Sequence, residues 1–232
     1  VLGPAKPGER AVTAMRSALD RLVSPSDRLI LLLQPPFDHT TRDPGYIKGY
    51  PPGIRENGAQ YTHAATWAVW AAARLGWNRE AAELFALLDP IRRTTTADDV
   101  RRYRLEPYVL AGDIYSHGEN RGRGGWSWYT GAAAWMYRAG IEALFGLSIE
   151  GQELVIKPCL PPDWNECTLK LCIRGTRYCI RYNQARGHAS VDSAVVKVDD
   201  QVIESNRVRL VESTETINIQ VTVTQAEPAP DS

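Results

Sequence analysis

The sequence predicts an α+β protein: a helical portion comes first and a small antiparallel β-sandwich follows. Up to about residue 150, apolar residues recur at helical spacing, as in Ala11, Ala14, Met15, Ala18, Leu19 and Leu22. From Glu153 the texture changes to short alternating runs, ELVIKP, CTLKLCI, RYCIRYN, AVVKV, QVIES, RVRLVE and TINIQVTVT, most of them parted by Gly, Asp, Asn or Pro. Strands at such regular short spacing indicate a sandwich. The expected division is therefore residues 1–150 helical, 151–224 sandwich and 225–232 (QAEPAPDS) a disordered tail.

Composition narrows the function. With 44% hydrophobic and 23% charged residues the chain reads as soluble and globular. Its 27 basic and 27 acidic residues cancel, so nothing favours a nucleic acid or an anionic membrane, and any anion site must be local. The longest apolar run, LILLL at 29–33, is far too short to span a bilayer. The chain opens at Val1 without a Met, as a piece of something longer would, and a targeting or membrane segment could lie with the missing part. Cys159, Cys167, Cys172 and Cys179 lack zinc-site spacing, so no metal is expected. If Gly175-Thr176 makes a two-residue hairpin turn, Cys172 and Cys179 face each other and could bridge under oxidation, although free thiols are the default in the cytosol.

Along the chain, Glu9–Val23 is a packing helix broken by Ser24-Pro25-Ser26-Asp27. Phe37–Pro51 lacks periodicity and reads as a substrate-facing loop. Thr62–Leu75 is a helix stopped by Gly76, and Arg79–Asp89 is a second one with Ala82, Phe85, Ala86 and Leu88 inward, the two forming an antiparallel hairpin. Thr94-Thr95-Thr96 before Asp98 and Asp99 caps a short helix ending near Tyr103. Glu106-Pro107-Tyr108 is expected to open another helix, and Thr130 to cap one over Ala132–Phe145.

Chemistry concentrates at two helix starts. Before the first, Arg55, Glu56, Asn57, Gln60, Tyr61 and His63 crowd polar groups between Gly53 and the helix. The unpaired N–H groups of a helix N-terminus favour an oxyanion, and Arg55 and His63 add side-chain donors. Before the second stand Trp126, Trp128 and Tyr129, suited either to a core or to a wall on which sugar rings stack. Thr130 and the N–H groups of Gly131 and Ala132 then supply further anion donors.

Three stretches, DPGYIKGYPPGIRENGAQYTHAATW, EPYVLAGDIYS and GGWSWYTGAAAWMYRAGIEALFGL, occur in this order. Together they closely resemble the C-terminal part of the inverting glycoside phosphorylases, above all the phosphorylase-like domain of cyclic β-1,2-glucan synthases, with the cellobiose and chitobiose phosphorylases more distant. The resemblance covers about residues 1–185 and implies the last helices of an (α/α)6 toroid ahead of the sandwich. It implies that His63, Thr130 and Gly131 hold phosphate and that Arg55, with Glu56 beside it, contacts the sugar; Gln60, Tyr61, Glu106 and Trp128 complete the expected β-glucan contacts, with inorganic phosphate as co-substrate and neither metal nor cofactor expected. Gly112 departs from the family: cellobiose-type relatives carry a sugar-binding glutamine there, which implies a different glucan linkage. The family's general acid, an aspartate in a Trp-Asn-Asp setting, has no match here, so no catalytic residue is assigned and the rest of the barrel is expected upstream. Asp163-Trp164-Asn165-Glu166 reads instead as a turn into the sandwich.

The activity so implied is phosphorolysis or remodelling of a β-glucan, β-1,2-linked, with inversion. Its place would be the cytoplasm, or the cytoplasmic face of a bacterial inner membrane in a full-length synthase. Two other readings stay open. One is an inverting hydrolase on a helical toroid, with Glu56, Glu106 and Asp113 as candidate acid and base. The other is a non-catalytic glucan-binding fragment.

Overall fold

The computed structural model describes residues 8–128, 130–186 and 193–225. Tyr129 and residues 226–232 of the expected 225–232 tail lie outside them, whereas Gln225 ends a strand. The chain divides into two compact units, residues 1–140 and 141–232.

The first unit opens with α1 (Glu9–Leu22), which buries Met15. A minimal hairpin follows, β1 (Val23–Ser24) against β2 (Leu29–Ile30), with Val23 opposite Ile30. Leu29 and Ile30 are buried; strand pairing ends there, and Leu32 N–H bonds to the carbonyl of Ala59 at 2.9 Å. β3 (Gln60–Tyr61) runs directly into α2 (Thr62–Arg74), which ends at Gly76 with φ of 74°. That left-handed value is the helix stop read from the sequence.

α3 (Asn78–Leu88) packs back on α2. Its buried residues are Ala81, Leu84 and Leu88, whereas the periodicity pointed to Ala82, Phe85, Ala86 and Leu88. Both rows fit a 3.6-residue repeat, and only packing against α2 decides between them. α4 (Ala97–Tyr103) is capped as expected, with the Thr96 hydroxyl accepting the Asp99 N–H at 3.1 Å.

The helix expected from Glu106 does not form. The chain turns at Pro107 and Tyr108 and enters β4 (Asp113–Ile114). The buried Tyr103 hydroxyl explains this: it donates to the Val109 carbonyl at 2.8 Å and accepts from the Ala111 N–H at 3.3 Å, holding the segment extended. A Gly at 112 also weakens any helix there. α5 (Ala132–Arg138) continues as a π-helix over Ala139–Leu144 rather than as one α-helix to Phe145.

The second unit holds two sheets. β5 (Leu147–Glu150), a strand the sequence reading did not separate, pairs with β6 (Glu153–Ile156). β7 (Glu166–Ile173), β8 (Thr176–Arg186), β9 (Ser193–Val198) and β10 (Gln201–Ile203) follow, then β11 (Arg207–Arg209) and β12 (Ile217–Gln225). Sheet orders are β11-β6-β5 and β10-β9-β12-β8-β7. Leu154, Ile156 and Val208 of the smaller sheet share one core with Tyr178, Ile180, Tyr182, Ile219 and Val221 of the larger, so the sandwich is present. One pairing departs from the expected antiparallel pattern: β12 runs parallel to β8, with Ile217 opposite Tyr178.

The cysteine expectation also fails in its register. The β7–β8 turn is Arg174-Gly175, with Ile173 opposite Thr176, so Cys172 faces Arg177 and Cys179 faces Lys170. All four cysteines are free thiols. No helix among the described residues is long and apolar enough to cross a membrane.

Candidate active site

A two-residue ladder builds the site. β3 pairs antiparallel with β4, placing Tyr61 opposite Asp113, and the Thr62 N–H donates to the Gly112 carbonyl at 2.9 Å. The start of α2 is thereby fixed beside Gly112-Asp113. Asp113 in turn draws in the segment ahead of α5: its carbonyl accepts the Gly125 N–H at 2.9 Å and its Oδ1 accepts the Trp126 N–H at 2.8 Å.

Between these elements lies a cavity of about 330 Å³. His63, Thr130 and Gly131 line it together with Arg55 and Tyr61, and Gly112, Asp113 and Trp126 complete the wall. Two distant motifs therefore open onto one space, at the small end of the roughly 300–1,000 Å³ typical of small-molecule sites.

His63 sits in the first turn of α2. Its ring lies 5.1 Å from Trp67, edge-on, and 5.3 Å from Trp135 of α5, an aromatic clamp that fixes its direction. Its Nε2 is buried and has no hydrogen-bond partner among the described residues. Thr130 uses a lone pair to accept the Ala132 N–H at 3.1 Å. That N–H, offered by the sequence as an anion donor, is thus spent within the chain, while the hydroxyl hydrogen is still available to donate. Gly131 has nothing within 4 Å of where a Cβ would stand. At Gly112, by contrast, a Cβ would come within 3.2 Å of Thr130 Oγ1 and 3.3 Å of the Trp126 carbonyl, so a larger residue would crowd the hydroxyl.

Arg55 occupies a tight turn in which Ile54 and Asn57 bridge, and its φ is 49°. A non-glycine residue in that region stores strain of about 1–2 kcal/mol, which the surrounding fold must over-determine. Asn57 supplies part of that constraint: fully buried, it accepts the Phe37 N–H at 2.7 Å and donates to the carbonyls of Phe37 and Tyr50, each at 2.8 Å. The Arg55 guanidinium lies 4.9 Å from the centre of the Trp126 ring and 5.8 Å from that of Tyr50. A hydrogen bond with Tyr50 raises its pKa above the ordinary value, with the Asp113 carboxylate adding to the effect, so its charge is secure. Burial pushes the Tyr61 phenol up, and Glu56 adds to the shift, so Tyr61 is a neutral donor.

Residues 1–146 match the family model described as Glycosyl hydrolase 94 superfamily, catalytic domain, and residues 147–205 match Glycosyl hydrolase family 65, C-terminal domain. The chain belongs to the glycosyl hydrolase 94 superfamily. This superfamily member is similar to the cyclic beta-(1,2)-glucan synthase NdvB of Rhizobium meliloti (strain 1021), at 44% identity over 85% of the chain and 7% of that protein. It is also similar to a solabiose phosphorylase of Paenibacillus borealis, 31% identical over 74% of the chain and 22% of the relative. An N,N'-diacetylchitobiose phosphorylase of Vibrio furnissii is 29% identical over 81% of the chain and 23% of its own length. The chain thus spans less than a quarter of each of these relatives.

Four residues named as sugar contacts stand outside the cavity of this superfamily member. Gln60 is fully buried, and its Oε1 accepts the Ile30 N–H at 3.0 Å, so it serves the core. Glu56 is half-buried, with an Oε2 that has no partner among the described residues. Glu106 and Trp128 lie together on an exposed patch, where Trp128 Nε1 donates to Glu106 Oε1 at 3.3 Å and the Trp128 and Tyr108 rings meet edge-on at 6.4 Å. The Phe37–Pro51 loop lines a separate pocket. Conversely, the cavity is lined by Trp126, which the sequence offered either to a core or to a sugar-stacking wall, and by Asp113, which it offered only as an acid or base of the hydrolase reading. The visible cue was the β-branched Ile114 after Gly112-Asp113, a strand signal that the preceding Glu-Pro-Tyr outweighed.

Proposed function

We propose that this chain supplies the phosphate-holding part of an inverting glycoside phosphorylase-type site acting on a β-glucan, β-1,2-linked. The observation that carries the reading is the shared cavity. His63 of the first motif and Thr130-Gly131 of the second line one space with the charged Arg55, as a small oxyanion requires.

In this reaction inorganic phosphate is the nucleophile. One of its oxygens bonds to the anomeric carbon on the face opposite the glycosidic oxygen, the carbon–oxygen bond breaks, and the leaving oxygen takes a proton from a carboxylic acid. The product is a sugar 1-phosphate of inverted configuration. His63 and Thr130 hold the nucleophile and limit its freedom to rotate, and Arg55 balances its charge. The acid belongs to a part of the enzyme outside this chain, where the remaining helices of an (α/α)6 toroid would also lie. The similar synthase and phosphorylases, each more than four times as long as the matched stretch, support that division. No cofactor is needed. The enzyme would work in the cytoplasm or at the cytoplasmic face of a bacterial inner membrane.

The hydrolase reading has less support, because of Glu56, Glu106 and Asp113 only Asp113 lines the cavity. Incubating the full-length enzyme with a β-1,2-glucan, with and without inorganic phosphate, tests the choice. Sugar 1-phosphate formed only with phosphate, and reduced by His63→Ala, supports phosphorolysis. Equal release of free sugar without phosphate would overturn it.

A further inference from the structure

Asp113 is 2% exposed, yet it lines the cavity with an Oδ2 that has no hydrogen-bond partner among the described residues. A buried carboxylate oxygen left unpaired is expensive, and the fold has not removed it. Its other oxygen is engaged, since Oδ1 accepts the Trp126 N–H at 2.8 Å and so fixes the direction of Oδ2. The surroundings make the position more specific. Gly125 abuts the carboxylate closely enough that a Cβ there would stand 2.6 Å from Oδ1 and 2.8 Å from Oδ2. Trp126, which Asp113 anchors through the backbone, is 51% exposed.

A carboxylate oxygen seeking a donor, in a cavity that an indole also lines, is the chemistry that recognises a neutral sugar: a hydroxyl donates to the oxygen, and ring C–H groups lie on the aromatic face that Arg55 does not cover. The same oxygen repels a phosphate dianion and would equally repel a sugar carrying its own carboxylate. Resting on the proposed phosphorolytic site, we infer that Asp113 is a specificity-determining residue whose free oxygen binds a hydroxyl of a neutral glucosyl unit and turns away acidic sugars. On this inference His63 and Thr130 serve the anion, and Asp113 and Trp126 serve the sugar. One similar protein, of Neurospora crassa, carries the name cellobionic acid phosphorylase, so the alternative substrate class occurs among relatives.

The test is a set of titrations of the full-length enzyme with inorganic phosphate, with a β-1,2-linked glucose disaccharide and with the aldonic acid of that disaccharide. Asp113→Asn keeps an acceptor for the Trp126 N–H and removes the charge. It should weaken the neutral disaccharide about ten- to hundredfold, the range for a hydrogen bond to a charged group, and narrow the preference over the aldonic acid. Phosphate affinity should hold or improve. Gly125→Ala, which displaces the carboxylate while keeping its charge, should weaken the disaccharide as well. An Asp113→Asn variant that binds disaccharide within about twofold of wild type, or that loses phosphate instead, overturns the inference. His63→Ala in the same titrations reports on the phosphate site alone. Disaccharide binding that depends on Asp113 without phosphate binding that depends on His63 would sink the proposed function and leave this inference standing.

Discussion

Replacing Thr130 by Val separates the two tasks of one hydroxyl. The structure shows the first: the N-cap of α5 is Gly131 rather than the expected Thr130, and Thr130 Oγ1, one residue earlier, accepts the Ala132 N–H at 3.1 Å in a turn bond. Losing such a bond costs about 1 kcal/mol, which for a protein of this size lowers Tm by about 2–4 °C. The second is donation to a bound phosphate oxygen. A hydrogen bond to a charged group is worth about 1.5–3 kcal/mol, so the dissociation constant for inorganic phosphate should rise about ten- to hundredfold. Val is close to Thr in shape, so neither figure is inflated by a cavity, and Thr130→Ser should recover most of both. Scanning calorimetry without ligand reads the first quantity, and titration calorimetry with phosphate reads the second. If Thr130→Val lowers Tm while leaving phosphate affinity within about twofold, the hydroxyl holds a turn and nothing more, and the shared oxyanion seat is wrong.

Gln60→Leu strands the buried Ile30 N–H that Oε1 now receives, so it should cost about 1–3 kcal/mol in denaturant unfolding while phosphate affinity is retained; a selective loss of sugar binding would restore its role as a substrate contact. At α4, the Thr96 hydroxyl bond lowers the Asp99 pKa below 3.8, and Arg28 and Thr95 add to the shift. A depressed carboxylate pKa gives stability that is complete above the unfolded value and fades as pH falls through the folded one. Acid unfolding of wild type should therefore show a pH dependence below the ordinary carboxylate range that Asp99→Asn reduces, and identical acid profiles for the two proteins would contradict it. In the second unit, Gly146 has φ of 68°, and a Cβ there would fall 1.9 Å from the Lys157 carbonyl oxygen. Gly146→Ala should destabilise that unit by about 2–5 kcal/mol, seen as faster proteolysis of the sandwich; an unchanged cleavage rate would show that the turn can relax.

Patterning alone determined much of this protein. The 3.6-residue repeat in Glu9–Leu22 and Thr62–Arg74 and the twofold alternation of Cys167, Leu169, Leu171 and Ile173 are written into consecutive residues, because backbone geometry decides which side chains share a face. The Thr96 cap and the Gly76 stop are equally local. Short motifs also named His63, Thr130 and Gly131 and tied them to one chemistry. What the chain could not declare was pairing at a distance. The Tyr61–Asp113 register, the hold of the Tyr103 hydroxyl on Val109 and Ala111, and the parallel run of β12 along β8 join residues far apart in sequence or override local preference. Those bonds turned an expected helix into β4 and put Asp113 in the cavity wall. They also drew Gln60 into the core, since which polar side chain meets a ligand and which meets a buried N–H depends on what the rest of the fold leaves unsatisfied.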